Sequence, residues 1–321
     1  MKFSEKFELE IHHQSNFDFA NIRIDRDNKL FIDPTRITAE DREWFQKCDL
    51  IIQDFFNTIF DLYSKGETDQ AREYFQSSGE SNELFLGYTE GFPRGNGNSE
   101  ESLAKVFEYV HKQGLLEDVI VGRLEDFYVF VPEFGEDLLS DLVASLIKAE
   151  LVLFTLEQCE IHGITLSFDF EFHYWNHVKH RWEVNTERLP SYNGHPIVLV
   201  PKEIMVSKYL YSSNRYWTQV VSIWRQRKHR DENSILHQKR PKYEEFASKK
   251  EIKHLEVNET SITDKQYLVN MTRENPAMIV SFRNNITNNQ RGTNSNKMSD
   301  EDLEKFIQDS YQLVEPSGEM Q

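Results

Sequence analysis

Cysteine is scarce in this sequence, and long apolar runs are missing. The 321 residues include only two cysteines, Cys48 and Cys159, and neither belongs to a Cys-x-x-Cys pair. No apolar run approaches the roughly 18 residues that a membrane-spanning helix needs, and the first residues lack the apolar stretch of a secretory leader. Free thiols in a reducing cytoplasm are therefore the expected state, and no membrane partner is expected.

Short signatures of several enzyme classes are also missing. The sequence has no Gly-x-Ser-x-Gly elbow, no His-Glu-x-x-His zinc motif and no glycine-rich loop followed by Gly-Lys-Ser or Gly-Lys-Thr. The glycines at 91–98 precede a predicted helix and offer a generic anion site, but Glu100 and Glu101 in its first turn would repel phosphate. Whether the protein is an enzyme stays open on these observations.

Positive charge is in short supply except in one region. The net charge of −17 argues against a nucleic-acid binder that uses its whole surface. Residues 201–260, however, carry 13 Lys and Arg against 8 Asp and Glu, a local net charge of +5. This region holds a basic cluster that follows Trp224, namely Arg225, Arg227, Lys228 and Arg230. Basic side chains neutralise phosphates and aromatic rings stack on bases, so the cluster predicts contact with nucleic acid or a partner; a solvated helix end is the alternative.

The spacing of apolar residues predicts a helix-rich α+β fold. Residues 44–63 and 139–153 have helical spacing, and the latter stretch indicates a long buried helix that Gly163 ends. Alternation at 164–172 predicts a half-buried strand. We expect a mixed unit at 1–200, a mainly helical extension at 201–283, an Asn-rich flexible linker at 284–299 and a short helical tail at 300–321.

The run from Gly135 to Asp141 is the first candidate site. It places Asp137, Ser140 and Asp141 at the start of the predicted long helix. Carboxylates there could act in catalysis or hold Mg²⁺, a hard cation that prefers oxygen ligands. The alternative is structural, because Asp137 could cap the helix and Asp141 could complement its dipole.

A second set of carboxylates lies on the predicted strand. Asp169 and Glu171 could join Asp137 and Asp141 as metal ligands of a nuclease of the PD-(D/E)XK type, although position 173 holds His where those nucleases have Lys. Alternation alone would instead turn both side chains to solvent. Four nearby histidines could bind zinc, although a place in an aromatic-rich core and strand edge is the alternative: His173, His177, His180 and His195.

Four segments together resemble a group of uncharacterised bacterial proteins associated with mobile and phage-defence gene clusters. The first two are Leu30-Phe31-Ile32-Asp33-Pro34, and Leu86-Gly87-Tyr88 followed by Gly95-Asn96-Gly97. The third is Gly135-Glu136-Asp137-x-x-Ser140-Asp141, with Phe154-Thr155 and Cys159 matching the end of the helix that follows it. The fourth is Ile197-Val198-Leu199-Val200-Pro201-Lys202. The resemblance covers roughly residues 20–205.

The resemblance implies a role in antiviral defence. In the family pattern an Arg-Ile pair stands where this chain has Leu138 and Leu139, so one positive charge is missing here. Some relatives continue into a nuclease-like C-terminal half, whereas this chain reaches an Asn-rich stretch instead. We therefore expect a cytoplasmic sensor or adaptor that works with a separate effector protein or with nucleic acid. A metal-dependent nuclease and an acidic interaction scaffold are the alternatives.

Overall fold

The structure, a computed structural model, describes residues 1–79, 81–87, 100–239, 246–291 and 297–312. Within these ranges helices predominate, and the expected helix-rich α+β class is confirmed. The helices are α1 (Phe3–Lys6), α2 (Pro34–Ala39), α3 (Glu43–Lys65), α4 (Thr68–Phe75), α5 (Glu100–Lys112), α6 (Asp126–Phe130), α7 (Glu136–Leu146), α8 (Lys148–Ile161), α9 (Ser213–Tyr216), α10 (Ser222–Lys228), α11 (Ile235–Gln238), α12 (Lys249–Lys253), α13 (Asp264–Glu274), α14 (Ala277–Gln290) and α15 (Asp300–Gln312).

The strands of the described residues form three small antiparallel pairs. They are β1 (Phe31–Ile32), β2 (Phe168–Asn176), β3 (Arg181–Leu189), β4 (Ser191–Tyr192), β5 (His195–Pro196) and β6 (Met205–Val206). The pairs are β1 with β6, β2 with β3, and β4 with β5. The strand expected at 164–172 is observed as β2, which begins and ends four residues later and forms a hairpin with β3.

The chain divides into two compact units that differ from the expected ones. Unit 1 comprises 1–104, 136–208 and 290–321, and unit 2 comprises 105–135 and 209–289. The expected units are each continuous in sequence, whereas unit 2 combines the internal segment 105–135 with the helices of 209–289. The linker expected at 284–299 also begins inside α14, whose last residue Gln290 is buried and donates from Nε2 to Thr35 Oγ1 at 3.0 Å.

Aromatic side chains on α3 form the centre of unit 1. The Phe55 ring meets the Trp175 ring of β2 edge to face, with centroids 5.0 Å apart. Trp175 is buried, and its indole Nε1 donates to Asp54 Oδ2 at 2.7 Å, so the hairpin is fixed to α3 by packing and by a polar contact. Both cysteines are buried and free, and burial raises the pKa of the two thiols, which makes them poor nucleophiles.

The long buried helix expected before Gly163 is two helices. The backbone of Ile147, at φ −90° and ψ 15°, leaves the helical region and separates α7 from α8. Next to this break the buried ammonium of Lys148 binds the Glu83 carboxylate, and it donates to Ser81 Oγ at 2.6 Å. Apolar spacing continues across Ile147 without Gly or Pro, which is why the sequence pattern did not indicate the break. Gly163, at φ +65°, lies just past the end of α8, as expected.

Asp126 joins the two chain segments of unit 2. It is fully buried and accepts hydrogen bonds from the backbone N–H groups of Gly122 and Arg123, at 2.8 and 2.9 Å. It also accepts from Tyr211 Oη at 2.5 Å and from Arg283 Nη2 at 2.7 Å. Tyr211 and Arg283 belong to the 209–289 segment and lie 85 and 157 positions after Asp126 in sequence. This one carboxylate therefore connects the 105–135 segment to the 209–289 segment.

Helix α15, expected as a short helical tail, packs on the surface of unit 1. Its Leu303 and Ile307 are each 2% exposed. Full burial of one such side chain is worth about 1.5–3 kcal/mol, while an isolated helix of this length is marginal in water. The docked state of α15 therefore depends on its packing against unit 1.

Candidate functional site

The first and third motif segments meet at Ser140. The Ser140 hydroxyl lies at the start of α7 and accepts the buried backbone N–H of Ile32 in β1 at 2.9 Å. Asp33, which follows Ile32, caps α2 by accepting the Thr35 N–H at 2.9 Å, and its own N–H donates to Ile204 O. In this arrangement Ser140 satisfies a backbone donor of the strand on the side that β6 does not cover.

The second motif segment lies against the same place. Gly87 has φ +125°, and its N–H donates to Asn28 O at 2.9 Å. A Cβ at Gly87 would lie 3.4 Å from Asp137 Oδ1 and 4.0 Å from Asp27 Oδ2, so two carboxylates border this glycine. Any other residue there would be strained by the backbone, and its Cβ would be in van der Waals contact with Asp137. Tyr88 and the glycines at 91–98 lie outside the described residues.

The fourth segment completes the connection. The Leu199 N–H donates to Thr155 Oγ1 at 2.8 Å, and Thr155 belongs to the helix end that the resemblance included. The Val198 N–H donates to Glu83 O at 2.8 Å. Hydrogen bonds thus join the described parts of the first, third and fourth motif segments into one framework in unit 1, and Gly87 of the second segment lies against Asp137 at its edge.

Asp137 is a candidate in this framework whose carboxyl pKa is shifted by its surroundings. It is half-buried in the first turn of α7, and burial raises the pKa of its carboxyl above the usual range. A pKa that is higher in the folded protein means that the folded state binds more protons, so this group's contribution to stability falls as pH rises through that pKa. At neutral pH the charged Asp137 therefore costs stability.

We expect Asp137→Asn to stabilise the protein at about pH 7 and to reduce the loss of stability as pH rises from about 4. Urea unfolding at several pH values measures this. The control is Asp69→Asn, since Asp69 holds the same first-turn position in α4 but is exposed. Asp69→Asn should be neutral or slightly destabilising. Equal effects of the two substitutions would contradict the burial argument.

The four carboxylates predicted as metal ligands are placed differently from one another. Asp141 follows Ser140 in α7, whereas Asp169 and Glu171 are exposed on β2, where Asp169 lies 3.9 Å from Arg188 across the hairpin. Within the described ranges no group of three or more His, Cys, Asp and Glu side chains is arranged to hold a metal ion. Among the predicted histidines, His180 pairs through Nδ1 with Asp54 at 2.8 Å.

Arg225, predicted as a contact residue, is engaged inside unit 2. Its Nε lies 2.9 Å from Oε2 of Glu256, and the same carboxylate accepts from Tyr267. Burial alone would raise the pKa of the Glu256 carboxyl, but hydrogen bonds from Arg225 and Tyr267 outweigh it and hold that pKa below its usual range. Arg225 is thereby a structural cation, which its position in a basic run did not reveal.

A histidine extends this cluster in a way that the sequence did not indicate. His229 Nε2 lies 2.7 Å from Glu256 Oε1, and Nδ1 lies 2.7 Å from Ser234 Oγ. A hydroxyl, an imidazole and a carboxylate in this order can pass a proton. The Ser234 N–H, however, donates to Asp231 O at 2.9 Å and is therefore already engaged within the turn, not free to stabilise an oxyanion. The arrangement holds the turn after α10 against α12 and the π-helical turn at His254–Asn258.

The other three predicted contact residues are exposed. Arg227 and Lys228 end α10, and Arg230 follows. Lys228 Nζ lies 5.2 Å from the centre of the Trp224 ring, and the Arg230 guanidinium lies 4.5 Å from the centre of the Phe246 ring, which is 42% exposed. We call these three cations with the two rings the α10 basic face. It offers positive charge beside aromatic surface, a combination that suits phosphates and bases.

Lys265 is a second perturbed group in unit 2. Its Nζ donates to Val131 O at 2.6 Å and to Phe134 O at 3.2 Å, and burial lowers its pKa to about 8. The folded state then binds fewer protons than the unfolded state above about pH 8, so this group's contribution to stability rises with pH up to about 10.4.

We expect the wild type to gain about 2 kcal/mol relative to Lys265→Met between about pH 7.5 and 9.5. Urea unfolding at the two pH values gives this difference. Lys250→Met is the control, because Lys250 is an exposed lysine of the same unit. A pH-independent difference between wild type and Lys265→Met would show that Lys265 titrates normally.

Comparison with known protein families gives a match over most of the chain. A family model described as a domain of unknown function, DUF8370, matches residues 8–212. The chain belongs to this family. The matched range contains the four motif segments and includes the 105–135 segment of unit 2, but it ends before α9. Searches of curated proteins and of solved structures gave no match.

The matched family domain contains Asp137, Asp141, Asp169 and Glu171, whereas the α10 basic face lies beyond it. Among the described residues, no helix is both long and apolar enough to cross a bilayer.

Proposed function

We propose that the protein is a cytoplasmic component of a bacterial antiviral system, acting as an adaptor between a nucleic acid and a partner effector protein. The resemblance of the four motif segments supports the defence role. The observation that carries the binding role is the α10 basic face, where Arg227, Lys228 and Arg230 are exposed, with Lys228 beside Trp224 and Arg230 beside Phe246. Two buried, free cysteines are compatible with a reducing compartment.

Single-stranded nucleic acid is the ligand that this face suits best. Its phosphates would meet the three cations, and its unpaired bases could stack on the rings. The remaining surface carries a large negative charge, which confines binding to this face and makes it sensitive to salt. A metal-dependent nuclease has less support, because the described carboxylates form no three-ligand group.

Fluorescence anisotropy with labelled single-stranded DNA and RNA tests the binding role. Replacing Arg227, Lys228 and Arg230 by Glu should reduce the slope of log affinity against log salt by about 2, since each lost phosphate contact removes roughly 0.7. The control reverses three exposed cations elsewhere, Lys65, Lys112 and Lys179. This control has the same net charge, so equal losses in both variants would contradict a site on α10.

A plaque assay tests the defence role. Bacteria that express the protein together with its neighbouring genes should form fewer plaques after phage infection than bacteria carrying an empty vector. Protection should be lost in the α10 variant and kept in the control variant. Full protection by the α10 variant would show that defence does not need the α10 basic face. No protection by the wild type would contradict the defence role itself.

A further inference from the structure

Helix α15 is held on unit 1 by acidic residues that face two lysines. Lys202 Nζ lies 2.8 Å from Asp300 Oδ1, and Lys2 Nζ is paired with Glu304. Asp300 and Glu304 are spaced so that both lie on one face of the helix, together with Leu303 and Ile307. The docked face of α15 is therefore an apolar strip with a carboxylate on either side of Leu303.

The surface under α15 belongs to the framework of unit 1. It includes the 3₁₀ turn at Gln14–Asn16, and Lys202 Nζ also donates to Gln14 O at 3.0 Å. Lys202 is the last residue of the fourth motif segment. We call this surface, formed by Lys2, Gln14–Asn16 and Lys202, the α15 groove.

Most of the α15 groove lies inside the matched family domain, whereas α15 itself lies outside it. The turn at Gln14–Asn16 and Lys202 lie inside the matched range of 8–212, whereas α15 lies outside it. The family domain thus supplies most of the groove, and a separate segment of this chain fills it. The attachment uses two buried aliphatic side chains and two ion pairs, of which Lys202–Asp300 is the more exposed and so the more open to screening by salt.

We propose that the α15 groove is the docking site for an acidic amphipathic helix of the partner protein, and that α15 occupies it until the partner displaces it. The partner helix carries two aliphatic residues four positions apart, with carboxylates three residues before and one residue after the first of them. Its aliphatic residues replace Leu303 and Ile307, and its carboxylates take over Lys202 and Lys2. This inference rests on the proposed adaptor role and names the class of its protein partner.

Peptide binding to the full-length protein tests the groove. The probe is a fluorescein-labelled peptide with the sequence of residues 297–312. In the variant Leu303→Ser with Ile307→Ser, α15 should leave the groove, and the peptide should bind about tenfold or more tightly than it binds the wild type. Lys202→Glu added to this variant should weaken binding, as should raising NaCl from about 0.05 to 0.5 M. A peptide that carries the two Ser substitutions is the control probe and should not bind.

Two results would overturn the proposal. One is equal binding, or no binding, of the peptide to the wild type and to a folded double-Ser variant whose circular dichroism matches the wild type. The other comes from the wild type alone. Amide hydrogens at 300–308 should exchange far faster than those in the core of α3, and faster still at high salt. Protection equal to that of α3 would mean that α15 does not open. Neither result affects the nucleic-acid measurement on α10.

Discussion

A fragment that ends at residue 212, the last residue of the family match, is expected not to fold cooperatively. This fragment keeps the 105–135 segment but loses nearly all of the 209–289 segment that completes unit 2. The buried ring of Phe130 would lose Tyr216, whose ring centroid is 5.7 Å away, and Asp126 would lose Arg283. Exposed aromatic surface and a stranded carboxylate should leave a loosely packed state.

Urea unfolding followed by circular dichroism, together with binding of an apolar dye, measures this outcome. A fragment that ends at residue 291 is the control, because it retains all of unit 2 and Gln290 while lacking α15. We expect the control to unfold cooperatively, with a lower midpoint than the full chain. A cooperative transition in the 1–212 fragment, with an m-value in proportion to its length, would show that the matched range folds by itself.

Asp126→Ala should produce the largest stability loss of any single substitution considered for unit 2. The change leaves the Arg283 guanidinium, which is largely buried, without its carboxylate, and it removes the acceptor of the Gly122 and Arg123 amides. Breaking a buried ion pair from one side costs about 3–5 kcal/mol, because a buried charge remains uncompensated. Urea unfolding of the full chain at neutral pH gives the loss directly.

A surface ion pair of the same unit provides the matched control. Asp118 accepts a hydrogen bond from Arg273 Nε at 2.7 Å, but both side chains are more than a third exposed to solvent. Asp118→Ala should therefore cost at most about 1 kcal/mol. Adding Arg283→Met to Asp126→Ala should recover part of the stability, since it removes the stranded cation. Similar losses for Asp118→Ala and Asp126→Ala would contradict the role assigned to burial.

Local features of the fold could be predicted from the sequence. The apolar spacing along α3, the alternation in β2 and the glycine at the end of α8 are properties of neighbouring residues. The break at Ile147 and the pairing of 105–135 with 209–289 could not be predicted in this way. They depend on contacts between residues far apart in sequence, such as Lys148 with Glu83, and periodicity contains no information about them.

For the candidate sites as well, local properties could be predicted from the sequence, and contacts between distant residues could not. Exposure of Asp169 and Glu171 agrees with strand alternation, which is local. Ser140 stood out as a polar residue at a helix start, but its acceptance of the Ile32 N–H joins residues 108 positions apart. In sequence, Arg225 does not differ from its neighbours in the basic run. Its binding to Glu256, 31 residues later, depends on the fold and could not be predicted from local charge. Of the four basic residues predicted as contacts, Arg227, Lys228 and Arg230 are exposed, whereas Arg225 is bound by Glu256.

The interrupted path of unit 2 has a consequence for synthesis on the ribosome. Residues 105–135 emerge before their partners, and about 75 further residues must be made before Tyr211 becomes available to Asp126. At roughly 5–20 residues per second this wait lasts about 4–15 s. During that time the side chains of Phe107, Phe127 and Phe130 have no finished core to enter. We therefore expect the nascent chain to benefit from chaperones that hold apolar segments, and its yield to depend on how fast the stretch from 136 to 211 is translated.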